Sequence, residues 1–303
     1  MDYNCTSMKS SKKYLPTLSL LFGAICWGII WYPYRLLEMQ GIVGMASSLY
    51  TYSIAAIFGS LLFVRSWKGL FKSPSSFFLL GVAAGWTNLS YVLAVINGEV
   101  MRVMFLFYLS PLWTLLLAHY WLKEPFSKRG VMTIVISLIG AFIMLSGLFN
   151  GHNIILPVPQ SQSEWLALSA GIGFSFSNVI TRRSIHLSLM EKSMAVWFGV
   201  AIMAFILMTT LHLTIPSPLM FKLNDLLLIG VISSVLIAVT VFVQYGVTRL
   251  SATRASVIFL FELVVASIAS YYLAGERMQT HEWIGGAFII AAALFASLDE
   301  QAI

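Results

Sequence analysis

Midway along the apolar stretch Arg254–Glu276 stands a single carboxylate, Glu262. A charged carboxylate at the centre of a membrane-spanning helix costs ~2.5–3.5 kcal/mol on insertion scales, so such a group is expected to face the bundle interior or water. Two kinds of chemistry follow. The group can pair with a cation such as a substrate amine, or it can bind a proton, because a carboxyl group withdrawn from water favours its neutral form. A carboxyl that merely bridges two helices is the structural alternative. Ala255, Ala266 and Ala269 fall beside Glu262 at helical spacing and leave room there.

Amides and hydroxyls are placed with the same economy. Gly171, Ser175, Asn178 and Arg182 recur at i, i+4, i+7 and i+11, and Ser233, Thr240, Gln244 and Thr248 share a second helical face. Such stripes line an aqueous path or knit helices together for ~1 kcal/mol each. Asn178 and Gln244 are the better binding candidates, since an amide has four hydrogen-bonding positions to satisfy. Asn88 and Tyr91 add a third polar pair, next to Gly81 and Gly85, whose GxxxG spacing reads as close helix packing. Trp27, Trp31 and Tyr34 form an aromatic face that, with Trp86 and Trp113, could hold an amine or a ring by cation–π contact and stacking. Lipid-facing or interfacial aromatics are the plainer reading of Trp31 and Tyr34. Pro33 and Pro111 free the carbonyls of Ile29 and Phe107 and are candidate hinges.

These residues need a membrane-embedded frame. Hydrophobic residues make up 59% of the 303 and charged residues 10%, proportions that a solvated surface does not tolerate. Long apolar runs without strand-like alternation favour an all-α integral membrane protein. Ten spans are predicted, at 15–37, 44–64, 77–97, 101–122, 129–149, 164–184, 190–212, 225–248, 252–274 and 281–298. Residues 1–14 read as a cytoplasmic tail with an uncleaved lead into the first span, and 299–303 as a second cytoplasmic tail. The polar segment 150–163 contains Pro157 and Pro159 but no Lys or Arg, and reads as an extracytoplasmic linker between halves 15–149 and 164–298.

The halves repeat. Arg102–Glu124 and Arg254–Glu276 share their end residues at equal separation, with Phe107 matching Phe259, Tyr120 matching Tyr272, and Ser110 standing where the other copy has Glu262. With the N-terminus inside, only Arg35, Arg102, Lys222 and Arg277 of 18 Lys and Arg lie outside, which is the positive-inside bias of an inner or plasma membrane protein. Five spans per half is an odd number, so the second copy enters from the opposite face. Inverted repeats of this kind suit alternating access around a midplane site.

Trp27-Gly28, Ser110-Pro111 and the closing Lys123-Glu124-Pro125 and Gly275-Glu276-Arg277 within two five-span halves resemble the EamA branch of the drug/metabolite transporter superfamily. The resemblance implies ten helices, a central cavity lined mainly by spans one, three, four, six, eight and nine, and carriage of small polar metabolites. The departure at Glu262 means that a substrate cannot be borrowed from a relative.

The expected function is secondary transport of an amino acid, an amino-acid derivative or another small amine-bearing metabolite. The predicted substrate-binding set is Glu262, Asn178, Gln244, Asn88, Tyr91, Trp27, Trp86, Ser110, Trp113 and Ser175. Glu124 and Glu276 read as membrane-edge structural groups, and Glu99 with Arg102 as an ion pair at the outer mouth. An intramembrane enzyme using Glu262 as general acid or base, and a metabolite channel, are the alternatives. His119, His152, His186, His212 and His281 are scattered, and no HExxH, CxxC, GxSxG or phosphate-binding loop occurs, so no metal, cofactor or ATP site is expected. The expected partners are a small polar metabolite, a coupling proton, membrane lipid and a second copy of the chain in a homodimer. Basic residues are dispersed along the chain, so nucleic acid is not expected.

Overall fold

The computed structural model describes residues 3–42, 44–64, 73–98, 100–146, 159–275 and 279–298. Every regular element among them is helical: α1 Tyr3–Met39, α2 Gly44–Leu62, α3 Pro74–Asn97, α4 Val100–Phe107, α5 Ser110–Leu122, α6 Lys128–Ser146, α7 Gln162–Arg183, α8 Leu189–Thr210, α9 Leu223–Arg249, α10 Ala252–Phe259, α11 Phe261–Leu273 and α12 Thr280–Leu298, with a short 3-10 turn at Pro218–Met220. The pairs α4–α5 and α10–α11 are each one pass interrupted midway, giving ten passes. Eight of these are long and apolar enough to span a bilayer, counting Arg102–Leu122 and Ala252–Leu273 as continuous. The stretch Thr280–Ala296 is a shorter apolar helix, and α7 carries the polar stripe predicted for span six.

The first helix begins at Tyr3, so residues 3–14 continue the helix of the first span. A correction concerns spans four and nine, expected as continuous helices. Span four breaks at Tyr108–Leu109 and restarts with Ser110 and Pro111, whose ring removes a backbone donor at the new first turn. Span nine breaks at Leu260 with no proline or glycine nearby; the Leu260 N–H turns to the Val257 carbonyl (3.1 Å), a tighter turn than an α-helix makes. Tyr108 lies six residues beyond Arg102 and Leu260 six beyond Arg254, so the breaks occupy matching positions in the two copies. They also meet: Tyr108, Leu260, Leu263 and Val264 share one buried cluster.

Glycines set the close crossings between passes. A Cβ on Gly199 of α8 would stand 2.1 Å from the Gly81 carbonyl of α3, and one on Gly85 would stand 2.5 Å from the Gly199 carbonyl, so the GxxxG pair packs helix on helix as its spacing predicts. Gly140 and Gly285 play the same part between α6 and α12. The largest core cluster joins α1, α2, α8 and α9 around Trp197, Leu37 and Leu236, which are fully buried.

Two polar networks fix the relative direction of the passes. At one face, the Arg102 guanidinium donates to Glu164 Oε2 at 2.7 Å, joining the start of span four to the start of span six. At the other, Glu124, just after span four, approaches Arg182 at the end of span six (3.9 Å) and accepts from the N–H of Ala252, the first residue of span nine (3.4 Å). Spans four and six therefore run together, and span nine runs against them. The fold is two inverted five-pass repeats.

Candidate functional site

Where the two interrupted passes meet, Glu262 occupies the first turn of α11. The Tyr108 hydroxyl at the break of span four and Tyr91 of α3 lie within reach of its charge. Glu262 is half-buried, and these neighbours come from spans three and four. The first-turn N–H groups of α11 add partial positive charge that favours the carboxylate. Gly28 lets α1 approach this turn: a Cβ there would stand 2.9 Å from the Glu262 carbonyl and 2.7 Å from the Val265 side chain.

An aromatic wall adjoins the carboxylate. Tyr91 packs on Phe107 (centroids 4.8 Å apart), Phe107 on Phe174 (5.8 Å) and Phe174 on Phe259 (5.2 Å), while Phe107 also meets Tyr108 (5.3 Å). Phe107 and Phe259, the matching residues of the two copies, thus face each other across one ring of span six. The wall is built from spans three, four, six and nine, and it differs from the box expected from tryptophans. No ring contact joins Trp27, Trp86 and Trp113. Trp27 packs against the core of α1, α2, α8 and α9, Trp86 is 37% exposed beside Gly173, and the Trp113 indole N–H is buried without a partner.

Ser110 and Ser175 are brought together, but for each other. The Ser175 hydroxyl donates to the carbonyls of Ser110 (2.8 Å) and Gly171 (2.9 Å), and a Cβ on Gly171 would come within 2.7 Å of the Phe107 carbonyl. Span six therefore seats against the break of span four, with Gly171 close over the Phe107 carbonyl that Pro111 frees. By contrast, Asn88 Oδ1, Asn178 Nδ2 and Gln244 Oε1 are buried with no hydrogen-bond partner. Three amides with open positions in one bundle are what a polar ligand would satisfy. Tyr34 bonds the Thr51 hydroxyl of α2 at 2.9 Å and serves packing.

At the mouths, Arg102 has a partner that the sequence did not point to. Glu99 lies outside the described residues, and Arg102 pairs with Glu164, which also accepts from the Gln160 N–H (2.8 Å). Glu276 and Arg277 also lie outside the described residues, as do Arg65, Lys68, Lys72 and most of the 150–163 linker. Glu124 has the structural partners expected of it, and burial pushes its carboxyl above the usual range despite the Ala252 N–H and the Arg182 charge, which pull it down. Sequence reasoning missed Tyr108, which carried no signal beyond being a tyrosine in an apolar run, and Lys192. No group of three or more His, Cys, Asp or Glu able to hold a metal ion occurs among the described residues.

Comparison with known proteins places this geometry. The model of the EamA-like transporter family matches residues 15–146 and again 162–298. The chain belongs to the EamA-like transporter family, and with it to the drug/metabolite transporter superfamily; it is a multi-pass membrane transporter. An uncharacterized transporter of Clostridium kluyveri is 24% identical over 222 residues, covering 71% of this chain and 68% of its own. A solved crystal structure shares the fold with a TM-score of 0.73 at 16% identity, over 93% of this chain and 96% of its own.

Proposed function

We propose that this transporter is a secondary carrier of an amino acid, an amino-acid derivative or another small amine-bearing metabolite, working by alternating access of its two inverted halves. One observation carries the reading: a carboxylate at the meeting point of two broken passes, beside Tyr108 and flanked by the Tyr91–Phe107–Phe174–Phe259 wall. A carboxylate beside aromatic faces suits a protonated amine on an apolar body, by ion pairing and cation–π attraction. The same carboxylate is the group to take a coupling proton when the amine has left. Asn88, Asn178 and Gln244 would supply the remaining polar contacts, and broken helices at a midplane site are the usual construction of secondary carriers. The basic-residue asymmetry supports an inner or plasma membrane setting with both termini cytoplasmic, which makes the Glu124 face the inner one.

Counter-flow of labelled amino acids and amines in proteoliposomes tests the assignment. Glu262→Gln should abolish pH-dependent flux, and Tyr108→Phe should reduce it while leaving the protein folded. Flux and pH profile unchanged in Glu262→Gln would eliminate the role given to the carboxylate. Product emerging chemically altered would favour an intramembrane enzyme.

A further inference from the structure

On the face that carries Glu124 and Ala252, the described groups around Lys192 bring together more cations than carboxylates. Lys192, in the first turn of α8, is fully buried, and its ammonium bonds one partner, the Thr248 hydroxyl of α9 at 3.0 Å. The charges that reach it are those of Arg182 and Arg249, both cations. Arg182 donates to the Thr248 carbonyl and has Glu124 at 3.9 Å; Arg249 lies over the Tyr245 ring at 3.7 Å. Glu191, adjacent in sequence, is turned to the backbone and accepts from the Ser188 N–H at 2.8 Å. A buried ammonium without a counter-charge is costly to keep.

The unfilled hydrogen-bonding positions nearby are complementary to an anion. Two of the three Lys192 donors are unused. One helical turn towards Glu262, ~6 Å deeper, Asn178 shares the face of Arg182 and Gln244 the face of Thr248. Asn178 has an unpartnered Nδ2, and Gln244 an unpartnered Oε1 whose amide, turned over, presents two N–H donors instead. Surplus positive charge beside open N–H donors is the chemistry of an oxyanion site.

The geometry points to an oxyanion-binding site between spans six, seven and eight, with Lys192 and Arg182 supplying charge and Asn178 and Gln244 supplying amide contacts. Its ligand is a carboxylate borne by the cargo or a free inorganic oxyanion. Only the first of these rests on the carrier reading above. Ala252, level with the cations, is ten residues from Glu262, ~15 Å along the pass, so the cations form a second station towards this face, with Asn178 and Gln244 between the two and able to serve the cargo at either.

Thermal-shift binding to the purified full chain, with 3-phenylpropionate, phenethylamine, phenylalanine and sulfate as probes, tests the site. In Glu262→Gln, which removes the amine's counter-charge, 3-phenylpropionate should stabilise the protein more than phenethylamine does. Lys192→Met should weaken its binding by about tenfold or more, and Lys192→Arg by much less. Asn178→Ala should weaken it without removing charge, which keeps the test open should the lysine variant fold poorly. Stabilisation by sulfate as strong as by 3-phenylpropionate, and equally lost in Lys192→Met, supports the site and assigns it to a free anion. Phenethylamine as effective as 3-phenylpropionate in Glu262→Gln, no response to either anion, or an unchanged response in both Lys192→Met and Asn178→Ala overturns it. Glu262→Gln should bind 3-phenylpropionate as the wild type does, so a failure of the carrier reading leaves this result intact.

Discussion

The carboxylate of Glu124, just past the fourth pass, accepts a hydrogen bond from the backbone N–H of Ala252, where the ninth pass begins. Since the sequences of these two passes match from Arg102 and from Arg254, one copy ends where the other starts. Their contact at a shared face fixes the copies as antiparallel. In a background lacking Cys5 and Cys26, Glu124→Cys with Ala252→Cys should be joined by a short bismaleimide. Glu124→Cys with Leu273→Cys, at the far end of the ninth pass, should remain unlinked on gels; the reverse pattern would mean parallel copies.

Burial raises the Glu124 carboxyl above its ordinary value near 4.5, with the Ala252 N–H and the Arg182 charge opposing. The folded state therefore holds this proton to higher pH than the unfolded chain does. The resulting stability is present at acid pH and is lost as pH rises from about 4.5 through the raised value. Melting curves of Glu124→Gln against wild type between pH 4 and 8 should show the variant gaining relative stability over that window, by less than about 1 kcal/mol.

Gly199 leaves no room for a side chain, because its Cβ would stand 2.1 Å from the Gly81 carbonyl, which is backbone and cannot yield locally. Gly199→Ala should cost about 1–3 kcal/mol or more by pushing α3 and α8 apart. Gly230→Ala, where nothing lies within 4 Å, should be neutral or slightly stabilising because it favours the helix. Chemical or thermal unfolding in a single detergent compares the two.

Arg102 and Glu164 tie span four to span six through a 2.7 Å charge-assisted bond, with side chains 15% and 9% exposed. Removing either partner alone leaves a mostly buried charge, so Arg102→Gln and Glu164→Gln should each destabilise more than their combination predicts. A double-mutant cycle on melting should return a coupling of about 1–3 kcal/mol; additive effects would show that the bond contributes nothing to the fold.

How far these features were legible in the sequence depended on what each one costs. Glu262, Asn88, Asn178 and Gln244 stood out because charges and amides in apolar runs are expensive, and Gly81 and Gly85 because small residues at helical spacing mark a crossing. The duplication was legible from end residues alone. The interruption at Leu260 was not, since neither proline nor glycine marks it and its cause is tertiary: Leu260 packs against Tyr108 at the opposing break. Pairings across long separations were equally silent. Arg102 finds Glu164 62 residues away and Ser175 finds Ser110 65 residues away, and nothing local to either residue specifies its partner. The aromatic wall went to phenylalanines because ring contacts follow from which faces meet, not from which residue has the largest ring.

The central claim is that Glu262 opens into hydrated space enclosed by the two halves. In the background lacking Cys5 and Cys26, the reactivity of Glu262→Cys towards a membrane-impermeant cationic methanethiosulfonate, in sealed proteoliposomes, tests it most directly. The account predicts modification at Glu262→Cys and none at Ile268→Cys, which is 39% exposed on the same helix. An unreactive Glu262→Cys alongside a reactive Ile268→Cys would contradict it.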